Sequence, residues 1–385
     1  MNGTGGATPT AAAEVTGQAT PAAAVSRAFG EHNRARLLEE HFAAQPAVAA
    51  ATAWTHIYRL LLWVDRTTGL AHCYESDKCQ PGRPWYARSL AFHDWVSGAL
   101  GLAPGELGEQ VDILFRRATA DLAAAATARR SHLAAETAAQ RQPYTGRGLP
   151  EPGEDPELEA IITDGLAPYL AASPPPAALR ALTERIQAHV GQENKRKNLV
   201  GEGFEDTVAA LLRRIPGITD HYDIRVRPVL HDLPGFRPPR AGSKTRQVDV
   251  SLVQRSTGHR TLVSCKWSVR SDREEQFASD FRDYAELEDA GQDFGYVLVT
   301  NEFDPARLAA ACDMRRQNAP LFTAVVHVNP DGPRAAYAPA GATGRTHAAR
   351  SRPATSRDGA SRALAHIDSG RLAPFSAWAG TLATP

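Results

Sequence analysis

Near Asn194 the chain changes its hydrophobic rhythm, and that change limits the possible folds more than any other feature. Before it, segments 24–44, 49–64, 87–101, 105–141, 156–172 and 176–192 repeat apolar residues at three- and four-residue steps, as amphipathic helices do. Breakers separate them: Pro46, Cys79-Gln80-Pro81-Gly82, Pro104-Gly105, the loop 143–155 and Ser173-Pro174-Pro175-Pro176. After it come a helix over 199–213 and short β-rich runs: His221–Pro228, Gln247–Gln254, Arg260–Ser268, Phe294–Thr300 and Leu321–Val328. Helices are expected between them, at about 272–289 and 304–317. The order predicts an α/β fold, with a mixed sheet flanked by helices and an all-helical N-terminal domain in front of it.

The expected boundaries follow from that reading. Residues 1–22 are small, polar and Pro-containing, the composition of a disordered tail. Residues 23–193 form the helical domain and 194–330 the sheet domain. Residues 331–385 read as a low-complexity linker and tail, with a short helix over 361–380. Lys+Arg and Asp+Glu are both 43, so no global basic excess advertises nucleic acid, although a local patch is enough for phosphate contacts. Four cysteines are too few for a disulfide framework and fit a reducing, cytoplasmic setting. No run of about 18 apolar residues is present, so no membrane partner is expected.

Charged residues fall at telling places in the second half. Asp249 lies in the strand Gln247–Val253, facing away from Val248 and Val250, because successive strand residues alternate faces. Lys266 lies in the next strand, and a hairpin through Ser256-Thr257-Gly258 brings it beside Asp249. Glu205 sits on the helix before the sheet, with Glu202 a weaker candidate on the same helix. Carboxylates that converge can hold Mg²⁺, a hard ion that takes oxygen ligands, and a neighbouring lysine can orient or deprotonate an attacking water. Taken alone, Asp249 reads as a capped or ion-paired strand residue with no chemistry to do. Two unpaired buried charges are costly, which weakens that bland reading for Asp249 and Lys266 together.

The residues after Lys266 add to this. Ser264 stands two before the lysine, Arg270, Asp272 and Arg273 stand four, six and seven after it, and Asp280 stands fourteen after it. In this combination, across roughly residues 194–330, the chain resembles the CCGG-recognising, BsaWI-like group of type II restriction endonucleases of the PD-(D/E)xK type. In that group a serine replaces the usual acid two before the lysine, and a glutamate from the following helix takes its place. The resemblance implies that Asp249, Glu205 and Asp280 hold Mg²⁺, that Ser264 occupies the replaced position and that Lys266 acts on the attacking water. Asp280 is shorter than the family's glutamate, and Glu275 is the alternative helix-borne acid. Independently, arginine matches the N7 and O6 acceptors of guanine and a carboxylate accepts from cytosine N4, so Arg270, Asp272 and Arg273 suit C·G pairs. The plain alternative for these three is a solvated helix N-terminus.

The expected function is therefore Mg²⁺-dependent cleavage of double-stranded DNA at a palindrome with a CCGG-type core. A homodimer or higher homo-oligomer and a companion DNA methyltransferase are the implied partners. A repair or junction nuclease of the same fold and a catalytically degenerate DNA-binding protein are the alternatives. Lys195-Arg196-Lys197-Asn198 reads equally as phosphate contact or solvated surface. His72, Cys73 and Cys79 have poor spacing for zinc, and Cys265 reads as a small core residue. Trp54, His56, Trp63, Trp85 and Trp95 read as core or interface aromatics. Asn301 reads as a cap for the next helix in preference to a DNA contact.

Overall fold

The computed structural model describes residues 27–384 apart from 74–75, 84, 148–155, 170–171, 173, 241, 243, 270 and 338–353. The expected tail over 1–22 lies outside the described residues. The helical half contains α1 (Glu31–Phe42), α2 (Ala53–Leu61), α3 (Tyr86–Ala99), α4 (Ile113–Arg141) and α5 (Pro156–Leu166), followed by α6 (Pro176–Arg214). Then come β1 (Tyr222–Val226), β2 (Val250–Gln254), β3 (Arg260–Lys266), α7 (Ser271–Leu287), β4 (Gly295–Thr300), α8 (Pro305–Asp313) and β5 (Ala324–His327). The main elements follow the expected order of helix, three strands, helix, strand, helix and strand, but the helix expected over 304–317 stops at Asp313 and a small hairpin of Arg315–Arg316 with Ala319–Pro320 follows it.

The sheet is mixed. β1, β2 and β3 are antiparallel neighbours, while β4 and β5 extend it in parallel from β3. Every residue of β4 is buried, as a central parallel strand covered on both faces must be. Its run Tyr296-Val297-Leu298-Val299 meets that demand. On one face Phe277, Phe281 and Tyr284 of α7 pack against Tyr296 and Phe322, with ring centroids 5.3 Å apart for Phe277–Phe322. On the other, Phe204 of α6 meets Trp267 edge-on at 5.4 Å.

Two expectations about organisation do not hold. The boundary drawn at 193/194 falls inside α6, which runs unbroken for 39 residues. Its middle, Gly191-Gln192-Glu193-Asn194-Lys195-Arg196, contains no proline, and a lone helical glycine costs only about 1 kcal/mol. Arg196 pins this stretch from the side: it is buried, lies 2.9 Å from Asp112 and covers the Phe115 ring. One apolar core then runs through both halves, from Leu61 and Leu114 through Phe204 and Leu211 to the sheet.

The second concerns residues 331–385. Residues 338–353 of the expected linker lie outside the described residues, but the rest supply α9 (Asp331–Tyr337), α10 (Ala354–Asp368), the strand β6 (Leu372–Pro374) and α11 (Phe375–Ala383), so two helices flanking a strand stand where one short helix over 361–380 was expected. β6 pairs in parallel with β5 and completes a six-stranded sheet in the order β1-β2-β3-β4-β5-β6. Phe375, Trp378, Ala379 and Leu382 follow helical spacing and are buried. The abundance of Ala, Gly and Ser around them masks an ordinary amphipathic helix.

Candidate active site

The β2–β3 ladder ends at Val250 opposite Val263, and Asp249 sits one residue beyond it. Three donors converge on its Oδ2: Lys266 Nζ at 2.7 Å, the Cys265 amide at 2.8 Å and Ser264 Oγ at 3.4 Å. Lys266 and Asp249 are partly open to solvent, at 21% and 22%. They therefore line a surface and not a sealed interior. Burial pulls the Lys266 ammonium toward neutrality, but the charge and hydrogen bond of Asp249, with Glu205 behind it, more than offset this and raise its pKa. Lys266 is thus held as a cation.

Glu205 is brought up by α6. At Gly203 a Cβ would lie 2.9 Å from Leu114, so the missing side chain lets α6 approach α4 closely. Phe204 then locks onto Trp267, and Glu205 follows at the margin of the sheet. Burial, then the charge of Asp249, raises the Glu205 carboxyl to about 7, against the pull of Arg227 and Lys266. Asp280 of α7 shares this environment. Burial raises its pKa, Arg246 and Lys266 lower it, and Asp249 and Asp283 raise it. Glu205 and Asp280 thus lie within electrostatic range of Asp249 and Lys266, the two residues that touch.

Other candidates fall away from it. Glu202 is 57% exposed and pairs with Arg34. Glu275 is exposed on α7, whereas Asp280 is half-buried and within electrostatic range of Lys266. Arg196 is neither a phosphate contact nor solvated surface, being buried against Asp112 and Phe115. Asn301 does not cap the following helix: Asp304 does, accepting from Ala306 and Arg307 amides at 3.0 and 3.4 Å. Asn301 is only 3% exposed, which also removes it from the surface that DNA could reach. Arg270 lies outside the described residues, as do the side chains of Asp272 and Arg273, whose backbone forms the first turn of α7.

Cys265 is buried in the core, as expected. Cys73 is also buried, which raises its thiol well above its ordinary value, and its Sγ lies 3.2 Å from Ser89 Oγ. Trp54 stacks on Trp95 at 6.1 Å and both pack against the core.

Among the described residues, no three His, Cys, Asp or Glu side chains form a ready metal cage. Mg²⁺ rarely uses one: it commonly takes one or two carboxylates, waters and the substrate's own phosphate oxygens. Asp249, within electrostatic range of Glu205 and Asp280, offers carboxylate oxygens of the kind such an ion takes. One participant carried no signal in the sequence. Arg227 sits in a left-handed conformation (φ 47°) just after β1 and bonds Glu205 at 3.0 Å.

No protein-family model matches the chain, and no curated protein matches it.

Proposed function

We propose that this protein is a Mg²⁺-dependent endonuclease of the PD-(D/E)xK type that cuts double-stranded DNA. The observation that carries the reading is the convergence of Lys266, Ser264 and the Cys265 amide on Asp249 just past the end of an antiparallel strand pair, with Glu205 and Asp280 coupled to it. A core carboxylate held only for stability needs no cluster of acids whose burial works against their ionisation. Perturbed groups of this kind gather where chemistry is done.

When bound, Mg²⁺ supplies a Lewis acid for the phosphoryl oxygens and lowers the pKa of a water. Asp249, Glu205 and Asp280 would hold it. Lys266, kept cationic by Asp249, stabilises the negative charge that grows on the phosphate as water attacks phosphorus and the ester oxygen departs. Its ammonium can also orient the attacking water by hydrogen bonding. Ser264 supports the Asp249 oxygen that the lysine grips.

Sequence-specific cleavage around a CCGG-type core is the finer form of the proposal. Its support is the spacing of Arg270, Asp272 and Arg273 after Lys266, with the donor and acceptor pattern that C·G pairs require. A palindrome would be read by two copies of the chain, and a companion methyltransferase would protect the same site. The lack of a three-acid cage among the described residues favours one other reading, a DNA-binding protein whose catalytic site has decayed. Supercoiled plasmid incubated with Mg²⁺ separates the two. Nicking and linearisation by the wild type but not by Lys266→Ala support the nuclease; an intact plasmid bound in gel-shift assays supports the decayed site.

A further inference from the structure

Arg227 touches the candidate site at both of its ends. Its backbone N–H donates to the carbonyl of Asp249 at 2.9 Å. Its guanidinium donates from Nη1 to Glu205 Oε2 at 3.0 Å, and from Nη2 to Asp206 at 2.7 Å and Glu31 at 3.0 Å. The residue has φ 47°, the left-handed region, and precedes Pro228. A side chain with a Cβ is disfavoured there by roughly 1–2 kcal/mol, and a following proline restricts the backbone further. Such a conformation persists only where the surroundings over-determine it, and these places cluster at functional sites.

The partners do not depend on Arg227 equally. Asp206 has a second cation, Arg34, which is itself buried and donates to Asp206 Oδ2 at 2.7 Å. Glu31 is 71% exposed and well hydrated. Glu205, among the described residues, accepts a hydrogen bond from Arg227 alone. Losing the guanidinium therefore leaves the link between α1 and α6 in place through Arg34, but frees the Glu205 carboxylate to rotate.

We infer that Arg227 is a positioning residue, whose fork holds Glu205 in register with Asp249 for a divalent cation. This rests on the nuclease reading. The inference differs in sign from simple electrostatics. Deleting a nearby positive charge should tighten the binding of a cation, whereas deleting a positioning contact should weaken it.

The test is Mn²⁺ titration of the full-length protein by calorimetry, with thermal unfolding and plasmid nicking measured alongside. Arg227→Gly is the informative variant, because glycine accepts the left-handed backbone without strain while the side chain that carries the guanidinium is lost. Expected are a native-like melting temperature, Mn²⁺ affinity reduced tenfold or more, and slower nicking. Arg227→Lys restores charge but not the fork, and should recover only part of the affinity. Glu31→Gln, which alters the outermost contact, should stay within twofold of the wild type. Unchanged or tighter Mn²⁺ binding in Arg227→Gly overturns the inference, as does equal weakening in Glu31→Gln. If Arg227→Gly fails to fold, Arg227→Lys with wild-type affinity overturns it and with reduced affinity supports it. A wild type that neither binds Mn²⁺ nor cuts DNA instead rejects the nuclease reading, and this inference with it.

Discussion

Lys266 and Asp249 touch without facing each other in the ladder. Extending the pairing of Val250 with Val263 by one step sets Asp249 opposite Ser264, so Lys266 lies two residues further on the same face and reaches back along β3. Asp249 thus meets its lysine through side-chain length, which leaves the ammonium able to swing to a phosphate. Asp249→Asn should keep the fold, since an amide oxygen still accepts from Cys265, and should slow Mg²⁺-dependent nicking by on the order of 10²–10⁴-fold. Plasmid nicking rates and far-UV circular dichroism on the same sample check this. A variant that cuts at the wild-type rate would remove Asp249 from the chemistry.

Asp280 and Glu275 can be separated in the same assay. Asp280 is half-buried and feels the charges of Arg246, Lys266 and Asp249, whereas Glu275 is exposed. Asp280→Asn is expected to weaken Mn²⁺ binding and cleavage by about tenfold or more, as removal of a metal carboxylate does, while Glu275→Gln stays within about twofold. The reverse order would transfer the helix-borne role to Glu275.

His327 makes a prediction about acid stability. It is wholly buried; the Asn329 amide donates to its Nδ1 at 3.1 Å, and its Nε2 lies 2.9 Å from the Glu302 carbonyl. An N–H aimed at Nδ1 requires the neutral ring, and burial lowers the pKa to about 4. The unfolded chain therefore binds a proton that the native chain refuses between about pH 6.5 and 4. This contribution is complete above about pH 6.5 and is lost as pH falls toward 4, on the order of 3 kcal/mol in all. Glu205, Glu302 and Asp280, whose pKa values are raised, act in the opposite direction as pH rises through the same region. The difference between wild type and His327→Gln isolates the histidine. In urea unfolding at several pH values, the wild type should lose stability relative to the variant on acidification; parallel curves would contradict it.

Gly235 and Arg260 test the packing behind the sheet. Arg260 is 1% exposed and is held by Glu288 at 2.8 Å and the Pro234 and Gln292 carbonyls at 3.1 and 2.9 Å. A Cβ on Gly235, whose φ is +79°, would lie 1.9 Å from Arg260 Nη1. Gly235→Ala must therefore strain its own backbone and dislodge a buried guanidinium. A loss of about 3 kcal/mol is expected from the left-handed penalty and weakened charged hydrogen bonds, read by the urea midpoint. A change under about 1 kcal/mol would show that Arg260 relaxes freely.

Ending the chain at residue 353 should yield aggregated or unfolded protein. The cut removes α10, β6 and α11, strips the β5 edge of its partner and exposes the surface under Phe375 and Trp378. Solubility and size-exclusion chromatography of the truncated chain decide it.

What could be read from the residues was mainly local. Alternating or continuous apolar runs and the turn at Ser256-Thr257-Gly258 located β2, β3 and β4, and with them the approach of Lys266 to Asp249. Apolar spacing on α7 put Asp280 on the face that carries Phe277 and Phe281. Arg227 was hidden because its partners lie 21, 22 and 196 residues away and nothing nearby marks its left-handed backbone. β6 was hidden because three residues next to a helix carry no periodic signal; only pairing with Val325, Val326 and His327 defines them. The missing break in α6 has the same origin, since Arg196 is anchored by Asp112, 84 residues earlier.

That helix has mechanical consequences. At about 1.5 Å per residue, α6 is a rod of about 58 Å, and about eight turns separate Pro176 from Glu205. No proline, the commonest cause of a sharp kink, interrupts those turns. The backbone that carries Glu205 is therefore joined to the start of α6 by one continuous run of helical hydrogen bonds, not by a linker.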